Sequence, residues 1–190
     1  MKNSEFITGK VPITKEEVRA ISINKLNLAN AKRFIDIGAG TGSVTVEAAY
    51  HYPNLEVTAI ERYDDALDLI NKNVEKFNLK NVEIIKGYAP VEINKKVDAI
   101  FLGGTGNNLE EIILWSKDLL VKGGRLVANF IIVDTFYQTL NLLRKYGFTN
   151  LDVSVLNVSK LEKLGRGEYF KPLNPIYIIY CEKGVENDDE

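Results

Sequence analysis

The segment from Asp36 to Ser43, with the sequence D-I-G-A-G-T-G-S, has the residue types that a ligand-binding turn requires. Its three glycines, Gly38, Gly40 and Gly42, allow the backbone to approach a ligand closely because they carry no Cβ atom. The segment follows a predicted strand and opens a predicted helix, whose first N–H groups are free to donate hydrogen bonds. In an open α/β sheet this turn binds nucleotide-like ligands, beyond the carboxyl ends of the strands.

An acidic residue, Glu61, ends the next predicted strand, nineteen residues after Gly42. A carboxylate at this place can accept hydrogen bonds from both hydroxyls of a ribose, at about 1.5–3 kcal/mol each because the acceptor is charged. The two features predict a ligand that contains adenosine, either a dinucleotide or S-adenosylmethionine. A dinucleotide loop has the pattern G-x-G-x-x-G, whereas Ser43 stands at the last glycine position here. The simpler alternative is a tight turn with a solvent-facing glutamate, which the combination of strand, glycines, helix and acidic strand end disfavours.

Seven short segments rich in β-branched or aromatic residues predict the strands that position this turn. Several are nearly continuous apolar runs, which are typical of strands covered by helices on both faces. The predicted strands are Arg33–Ile37, Leu55–Ile60, Val82–Ile85, Val97–Leu102, Arg125–Ile131, Leu151–Val158 and Ile176–Cys181.

Amphipathic helices are predicted between the strands, because apolar residues recur three or four positions apart over 67–77, 109–119 and 136–143. An N-terminal helix is predicted to begin at Thr14, where Thr14 and Glu17 form a capping box. The repeated strand–helix order predicts a doubly wound α/β fold with a mostly parallel seven-stranded sheet. The last two strands have no helix between them and predict an antiparallel pair, with an antiparallel edge strand.

Composition excludes several classes of protein. The 190 residues carry a net charge of −2, which argues against a nucleic-acid-binding or membrane-surface protein. A single histidine, His51, and a single cysteine, Cys181, exclude multi-histidine metal centres and disulfide frameworks, so no metal site is predicted. The lone cysteine, with no signal peptide and no apolar run of ~18–20 residues, predicts a cytoplasmic location. We predict a single domain over residues 1–183 and a disordered acidic tail over 184–190.

The tighter glycine pattern G-x-G-x-G, preceded by Asp36, resembles motif I of class I methyltransferases. No Asn-Pro-Pro-Tyr motif follows the fourth predicted strand, which disfavours methylation of adenine in nucleic acids. A more specific pattern is made by the segments Pro12–Arg19 (P-I-T-K-E-E-V-R), Asp36–Ser43, Ala89-Pro90, Phe101–Gly104 (F-L-G-G) and Asn174-Pro175. The whole pattern, from about Phe6 to Cys181, resembles a particular family, the stand-alone cobalt-precorrin carbon-15 methyltransferases.

The resemblance implies a reaction of anaerobic cobalamin biosynthesis. In that family a methyl group moves from S-adenosylmethionine to carbon 15 of cobalt-precorrin-6B, and carbon dioxide is lost from the acetate on carbon 12, giving cobalt-precorrin-7. The resemblance also implies a homo-oligomer, a tetramer. In the implied cofactor site, the glycine segment surrounds the methionine part, Glu61 holds the ribose, Ala89 lies against the adenine and Thr14 closes over the cofactor. The implied cofactor-binding set is Thr14, Gly38, Ala39, Gly40, Thr41, Gly42, Glu61 and Ala89.

Methyl transfer from a sulfonium to carbon depends on alignment, which can account for about 7–11 kcal/mol of barrier lowering without an acid or base. We therefore predict no catalytic base. The substrate is a wide flat ring with several carboxylates, so its pocket should offer aromatic surface and cationic or amide donors. Two segments are candidates, 105–108 after the fourth strand and the segment between the last two strands, although a solvated surface loop is equally expected for the latter. The candidate residues of the latter are Lys160, Lys163, Arg166, Tyr169, Phe170 and Lys171.

Two other functional classes stay open at this point. The first is a class I methyltransferase that acts on RNA or protein, although the absence of a basic stripe counts against RNA. The second is an NAD(P)-dependent oxidoreductase or a non-catalytic nucleotide-binding domain.

Overall fold

A seven-stranded sheet with helices on both faces forms the body of the chain in the computed structural model, which describes residues 1–184. Two short 3-10 turns lie at Asn3–Glu5 and Leu28–Asn30. The strands of the large sheet are β1 Arg33–Ile37, β2 Glu56–Glu61, β3 Val82–Lys86, β4 Val97–Leu102, β5 Leu120–Phe130, β6 Phe148–Leu156 and β9 Ile176–Lys183. Strands β7 Ser159–Leu164 and β8 Gly167–Pro172 form a separate two-stranded sheet. The helices are α1 Glu16–Leu26, α2 Ser43–His51, α3 Asp64–Lys76, α4 Leu109–Leu119 and α5 Val133–Lys145.

The strand order is β3-β2-β1-β4-β5-β9-β6. Strands β1 to β5 pair in parallel, and β9 is antiparallel to both of its neighbours, β5 and β6. The predicted doubly wound, mostly parallel sheet and the antiparallel pairing of the last two strands are therefore confirmed. The reversed strand, β9, lies one place in from the edge strand β6. The chain order reverses between β1 and β4, and ligands bind in the crevice that such a switch point creates.

Successive residues of the central strand β1 serve the two faces of the sheet. Phe34 packs with α1 and α2, whereas Ile35 and Ile37 pack in the core on the side of α4 and α5. Asp36 shares the face of Phe34, so its carboxyl group points toward the side on which α1 lies. Both faces are buried, which explains why β1 and β4 appear in the sequence as nearly continuous apolar runs.

The N-terminal helix begins two residues later than predicted, at Glu16, and the predicted capping box is wrong. Lys15 is the N-cap residue, and its side chain makes no capping hydrogen bond. The Thr14 carbonyl instead accepts a hydrogen bond from Nη1 of Arg19 at 2.6 Å, and the Glu17 carboxylate pairs with Nζ of Lys160. The Glu17 carboxylate is therefore engaged by a residue 143 positions away instead of capping the helix.

The segment between the last two strands of the large sheet is a β-hairpin rather than the loop expected from its mixed charge. Strands β7 and β8 pair in register from Ser159–Pro172 to Leu164–Gly167. The reversal at Gly165 has a φ of +61°, a conformation that favours glycine. The hairpin projects from the sheet and is largely exposed.

No helix within residues 1–184 is long and apolar enough to cross a membrane. Cys181 is a free cysteine buried in β9, and His51 ends α2 with its side chain exposed. Apart from Gly184, the predicted acidic tail lies outside the described residues.

Candidate active site

The glycine turn follows β1 at the switch point of the sheet. Gly38, Gly40 and Gly42 have φ values of +71°, +58° and +74°, which L-residues with a Cβ atom adopt only with strain. At Gly38 a Cβ atom would also lie 2.8 Å from the backbone nitrogen of Gly104. The turns after β1 and β4 therefore approach each other backbone to backbone, which only glycines allow.

Asp36, the residue before the turn, is buried and has one unpaired oxygen. Its Oδ2 accepts hydrogen bonds from the backbone N–H of Thr45 at 3.1 Å and from Oγ1 of Thr45 at 2.6 Å. Its Oδ1 is buried without a partner among residues 1–184. Burial raises the pKa of this carboxyl group to about 7, although the Thr45 hydrogen bonds oppose the shift. A cationic or hydrogen-bond-donating ligand group would satisfy the free oxygen.

Glu61, at the end of β2, is only 7% exposed and its carboxylate binds the backbone of the glycine turn. Its Oε2 accepts a hydrogen bond from the backbone N–H of Gly40 at 2.9 Å. Its Oε1 accepts from the backbone N–H groups of Arg62 at 2.7 Å and Tyr63 at 3.0 Å. A carboxylate has about four acceptor positions, so these three bonds fix its orientation and leave about one position free.

Two cavities meet at this turn, and Pro12, Gly38, Gly40 and Gly103 line both. We call them the Glu61 cavity and the Asp36 cavity. The Glu61 cavity, of about 330 Å³, is further lined by Val11, Ile37, Ile60, Glu61, Arg62, Tyr63, Gly87, Tyr88, Ala89, Gly104, Thr105, Gly106 and Ile112. The Asp36 cavity, of about 410 Å³, is further lined by Ile13, Thr14, Lys15, Val18, Asp36, Ala39, Thr41, Val44, Phe101, Asn129, Phe130, Ile131, Val158, Leu173, Asn174 and Ile176.

Arg62 and two tyrosines, Tyr63 and Tyr88, form part of the lining of the Glu61 cavity. The Arg62 guanidinium lies 4.4 Å from the ring centre of Tyr63 and 4.8 Å from that of Tyr88. The Tyr88 hydroxyl accepts a hydrogen bond from the backbone N–H of Asn107 at 2.7 Å. These contacts join the turns after β2, β3 and β4, and Ala89 lies buried beside them.

The Asp36 cavity is mainly apolar, with a few polar groups. Its charged lining residues within the described chain are the buried Asp36 and the exposed Lys15. Two carboxamides, those of Asn129 and Asn174, also reach it. Such a cavity suits a large, flat, mainly apolar ligand that is held by a small number of polar contacts.

An extended N-terminal segment, residues 7–15, covers both cavities; we call it the strap. At one end the buried amide of Asn73 accepts from the N–H of Ile7 at 2.7 Å and donates to the carbonyl groups of Ile7 and Thr41, at 3.0 Å each. At the other end the fully buried Arg19 holds the Thr14 carbonyl. Asn73 therefore ties the strap directly to the glycine turn.

Most of the residues predicted for cofactor binding line one of the two cavities. Gly38 and Gly40 line both, Glu61 and Ala89 line the Glu61 cavity, and the others except Gly42 line the Asp36 cavity. Gly42 lines neither, because a Cβ atom there would lie 3.1 Å from the side chain of Ile70, in the packing between α2 and α3. Its contribution is to the shape of the turn.

The charged and aromatic residues proposed as substrate contacts on the hairpin line neither cavity. Lys160 forms ion pairs with Glu16 and Glu17 of α1, and Lys171 pairs with Glu162 at 3.1 Å within the hairpin. Of this region, the residues that line the Asp36 cavity are Val158, Leu173 and Asn174, which flank the hairpin. Of the segment 105–108, the first two residues line the Glu61 cavity.

Sequence reasoning missed several residues that the fold brings to the site, among them Asn129, Asn73 and Arg19. Asn129 had a usable signal, since it is a polar residue near the end of the apolar strand β5. Asn73 and Arg19 had none, because their partners are distant in the sequence. Within residues 1–184, no group of three or more His, Cys, Asp or Glu side chains could hold a metal ion.

Comparison with known proteins identifies the relatives of this chain. The model of the precorrin methyltransferase domain matches residues 6–183. The cobalt-precorrin-6B C(15)-methyltransferase (decarboxylating) of Salmonella typhimurium is 46% identical over 184 residues, 96% of each chain. The probable enzyme of the same name from Methanocaldococcus jannaschii is 39% identical over 181 residues, 93% of this chain and 94% of that one.

Solved structures agree with this relationship. A precorrin-6y C5,15-methyltransferase from Geobacter metallireducens superposes with a TM-score of 0.89 at 36% identity, covering 96% of both chains. A precorrin 8w decarboxylase from Methanobacterium thermoautotrophicum superposes with a TM-score of 0.86 at 31% identity, covering 97% of this chain and 100% of that one. A tRNA (m1A58) methyltransferase from Aquifex aeolicus, at 20% identity and a TM-score of 0.75, shares the fold alone. The glycine turn at the switch point, the acidic end of β2 and a family match over nearly the whole chain establish that this protein belongs to the precorrin methyltransferase family.

Proposed function

We propose that this protein transfers a methyl group from S-adenosylmethionine to carbon 15 of cobalt-precorrin-6B and releases the carboxyl group of the carbon-12 acetate as carbon dioxide, giving cobalt-precorrin-7. The observation that carries the proposal is 46% identity, over 96% of both chains, to an enzyme named for this reaction. The site supports it with two adjoining cavities, one suited to a nucleoside and the other to a large apolar ring.

The residues present fit S-adenosylmethionine, which supplies a methyl group already activated on a sulfonium. Two buried polar atoms without partners in the described chain, Oδ1 of Asp36 and Oγ1 of Thr41, belong to residues that line the Asp36 cavity. We assign the methionine part of the cofactor to the turn from Gly38 to Gly42, with its ammonium group toward Asp36.

The nucleoside part is assigned to the Glu61 cavity. The free acceptor position of Glu61 serves the ribose, and Ala89 contacts the adenine. Thr14, carried by the strap, closes the site from above. This assignment keeps every residue predicted from the sequence, with Gly42 acting through the shape of the turn.

The side chains act mainly by alignment and by excluding water. The apolar lining of the Asp36 cavity, which includes Phe101 and Phe130, excludes water from the reacting carbon atoms. Holding the methyl donor and the macrocycle in line can lower the barrier by about 7–11 kcal/mol. No step of this account requires a protein acid or base.

Incubation of the protein with cobalt-precorrin-6B and S-adenosylmethionine tests the proposal. Mass spectrometry should show one product that has gained a methylene unit and lost one carbon dioxide. Calorimetric titration with S-adenosylhomocysteine should show binding in a parallel sample. Unchanged substrate in the presence of demonstrated cofactor binding would reject the reaction and retain the cofactor assignment.

A cytoplasmic location stays a prediction. We also propose that the protein assembles as a homo-oligomer, a tetramer. The β7–β8 hairpin supports self-association, since Leu161, Leu164 and Phe170 are 55%, 67% and 69% exposed. An isolated two-stranded hairpin is marginally stable, and its unpaired edges can pair with an identical hairpin about a twofold axis. Sedimentation should show a larger species for the wild type and a smaller one for Leu164→Lys; a monomeric wild type would contradict the proposal.

A further inference from the structure

We propose that Asn129, oriented by Ser22, binds the carboxylate that the substrate loses and holds it without a positive charge. The inference rests on the proposed function and deepens it, because it names the group that handles the decarboxylation half of the reaction. It also accounts for a half-buried carboxamide in an otherwise apolar part of the Asp36 cavity.

The register of the sheet places Asn129 on the same face as Asp36. Asp36 of β1 is opposite Phe101 of β4, and Phe101 is opposite Val127 of β5. Residues two positions apart on a strand share a face, so Asn129 follows Val127 on this side of the sheet. Asn129 is therefore two strands away from Asp36, across Phe101, at the carboxyl end of β5 where the Asp36 cavity opens.

A serine of α1 determines the orientation of the Asn129 amide. The fully buried Ser22 directs its single hydroxyl proton to the carbonyl of Val18, at an Oγ–O distance of 2.8 Å. Its Oγ then accepts from Nδ2 of Asn129 at 2.9 Å. Oδ1 of Asn129 lies 3.3 Å from the same Ser22 Oγ, and the second amide N–H of Asn129 has no partner among residues 1–184. The side chain is thus held at one point and has a donor available for a ligand.

The chemistry of the lost carboxylate favours a neutral partner. A cation paired with a carboxylate stabilises its charge, whereas loss of carbon dioxide removes that charge from the substrate. In the described lining of the Asp36 cavity the cationic side chain is that of the exposed Lys15, and Arg19 is committed to Glu47 and to the strap. An amide N–H can orient the carboxylate with a hydrogen bond while leaving it able to react.

The electron balance requires nothing further from the protein. The new bond at carbon 15 uses an electron pair of the macrocycle, and the sulfonium sulfur keeps the pair of the bond that breaks. The bond between the acetate methylene and its carboxyl carbon breaks, and its pair returns to the macrocycle as carbon dioxide leaves. The methylene left behind gains one proton to become a methyl group and the macrocycle loses one, so no net proton, oxidant or reductant is consumed.

Asn129→Ala tests the assignment through the ratio of two products. Loss of a hydrogen bond to a charged group should lower kcat/KM by about 10- to 100-fold. A fraction of the product should be methylated and still carry the carboxyl group, which mass spectrometry distinguishes. Affinity for S-adenosylhomocysteine should stay at the wild-type value, because the cofactor is assigned to other residues. Asn129→Asp should raise KM further, since two carboxylates repel each other.

Ser22 is a positioning residue, so Ser22→Ala should shift the product ratio in the same direction by a smaller factor. Asn54→Ala, at an exposed asparagine in the turn before β2, is the matched control and should behave as the wild type. If Asn129→Ala is insoluble, Asn129→Gln, which moves the amide by one methylene unit, must show the same altered ratio.

Wild-type kcat/KM and a single decarboxylated product from soluble Asn129→Ala would overturn the assignment and leave the proposed function intact. Equal losses of activity and of S-adenosylhomocysteine affinity would also overturn it, since they indicate a general effect on the site. A wild-type protein that leaves cobalt-precorrin-6B unchanged would overturn both the assignment and the proposed function.

Discussion

Replacement of Glu61 by alanine is the sharpest test of the cofactor site, because this carboxylate has two tasks. It accepts the Gly40 N–H at 2.9 Å and so holds the glycine turn, and it offers about one further acceptor position to a ribose. One hydrogen bond from a ligand to a charged acceptor is worth about 1.5–3 kcal/mol, and the released turn adds to the loss. We expect Glu61→Ala to weaken binding of S-adenosylhomocysteine by roughly 2–3 kcal/mol, about 30- to 150-fold.

Isothermal titration calorimetry of S-adenosylhomocysteine measures this loss directly. Glu61→Gln retains one acceptor oxygen, so its loss of affinity should be smaller than that of the alanine variant. Some loss should remain, because its NH2 group faces backbone donors. Glu83→Ala, at an exposed position of the neighbouring strand β3, is the control for an unspecific effect and should bind as the wild type does. Wild-type affinity in a folded Glu61→Ala variant would refute the assignment of the ribose to this carboxylate.

Two further predictions concern stability. Because the pKa of Asp36 is raised to about 7, the native state keeps a proton that the unfolded state releases near pH 4. The free energy of unfolding should therefore fall as the pH rises from about 4 to about 7, by up to about 4 kcal/mol. Urea unfolding across this range should show the fall in the wild type and a smaller one in Asp36→Asn; parallel pH profiles would contradict the cause. Arg19→Met leaves the buried Glu47 carboxylate with the Met1 ammonium group, at 3.2 Å, as its remaining ion-pair partner, and it releases the strap. The free energy of unfolding should therefore fall by about 3 kcal/mol. A loss below about 1 kcal/mol would show that the guanidinium is dispensable.

The sequence predicted the fold closely because its signals are local. Glycines at positive φ mark the turn after β1, and the apolar runs of β1 and β4 mark strands buried on both faces. Gly147, with a φ of +71°, follows the last helix as a left-handed terminating residue, a common role of glycine that the sequence shows directly. Each signal depends on a few neighbouring residues, so each can be interpreted before any tertiary contact is known.

Local signals failed where a tertiary partner competed with a local one. Thr14 and Glu17 have the spacing of a capping box, but the Glu17 carboxylate that the box would have used pairs with Lys160 of the hairpin instead. The mixed charge of the segment after β6 resembles a surface loop, yet its backbone pairs as a hairpin. In both places the local pattern allowed two outcomes, and packing selected one.

By itself, then, the sequence determined the order along the chain of the helices and of the strands of the large sheet, the glycine turn at the switch point and the acidic end of β2, because backbone conformation and periodicity are properties of short segments. Only the tertiary structure decided which side chains face the Asp36 cavity and how the strap covers it. Ser22 and Asn129 are 107 residues apart, and Asn73 joins residues 66 and 32 positions away. Such contacts depend on the register of several strands and on the packing of α1 and α3, which no local pattern encodes.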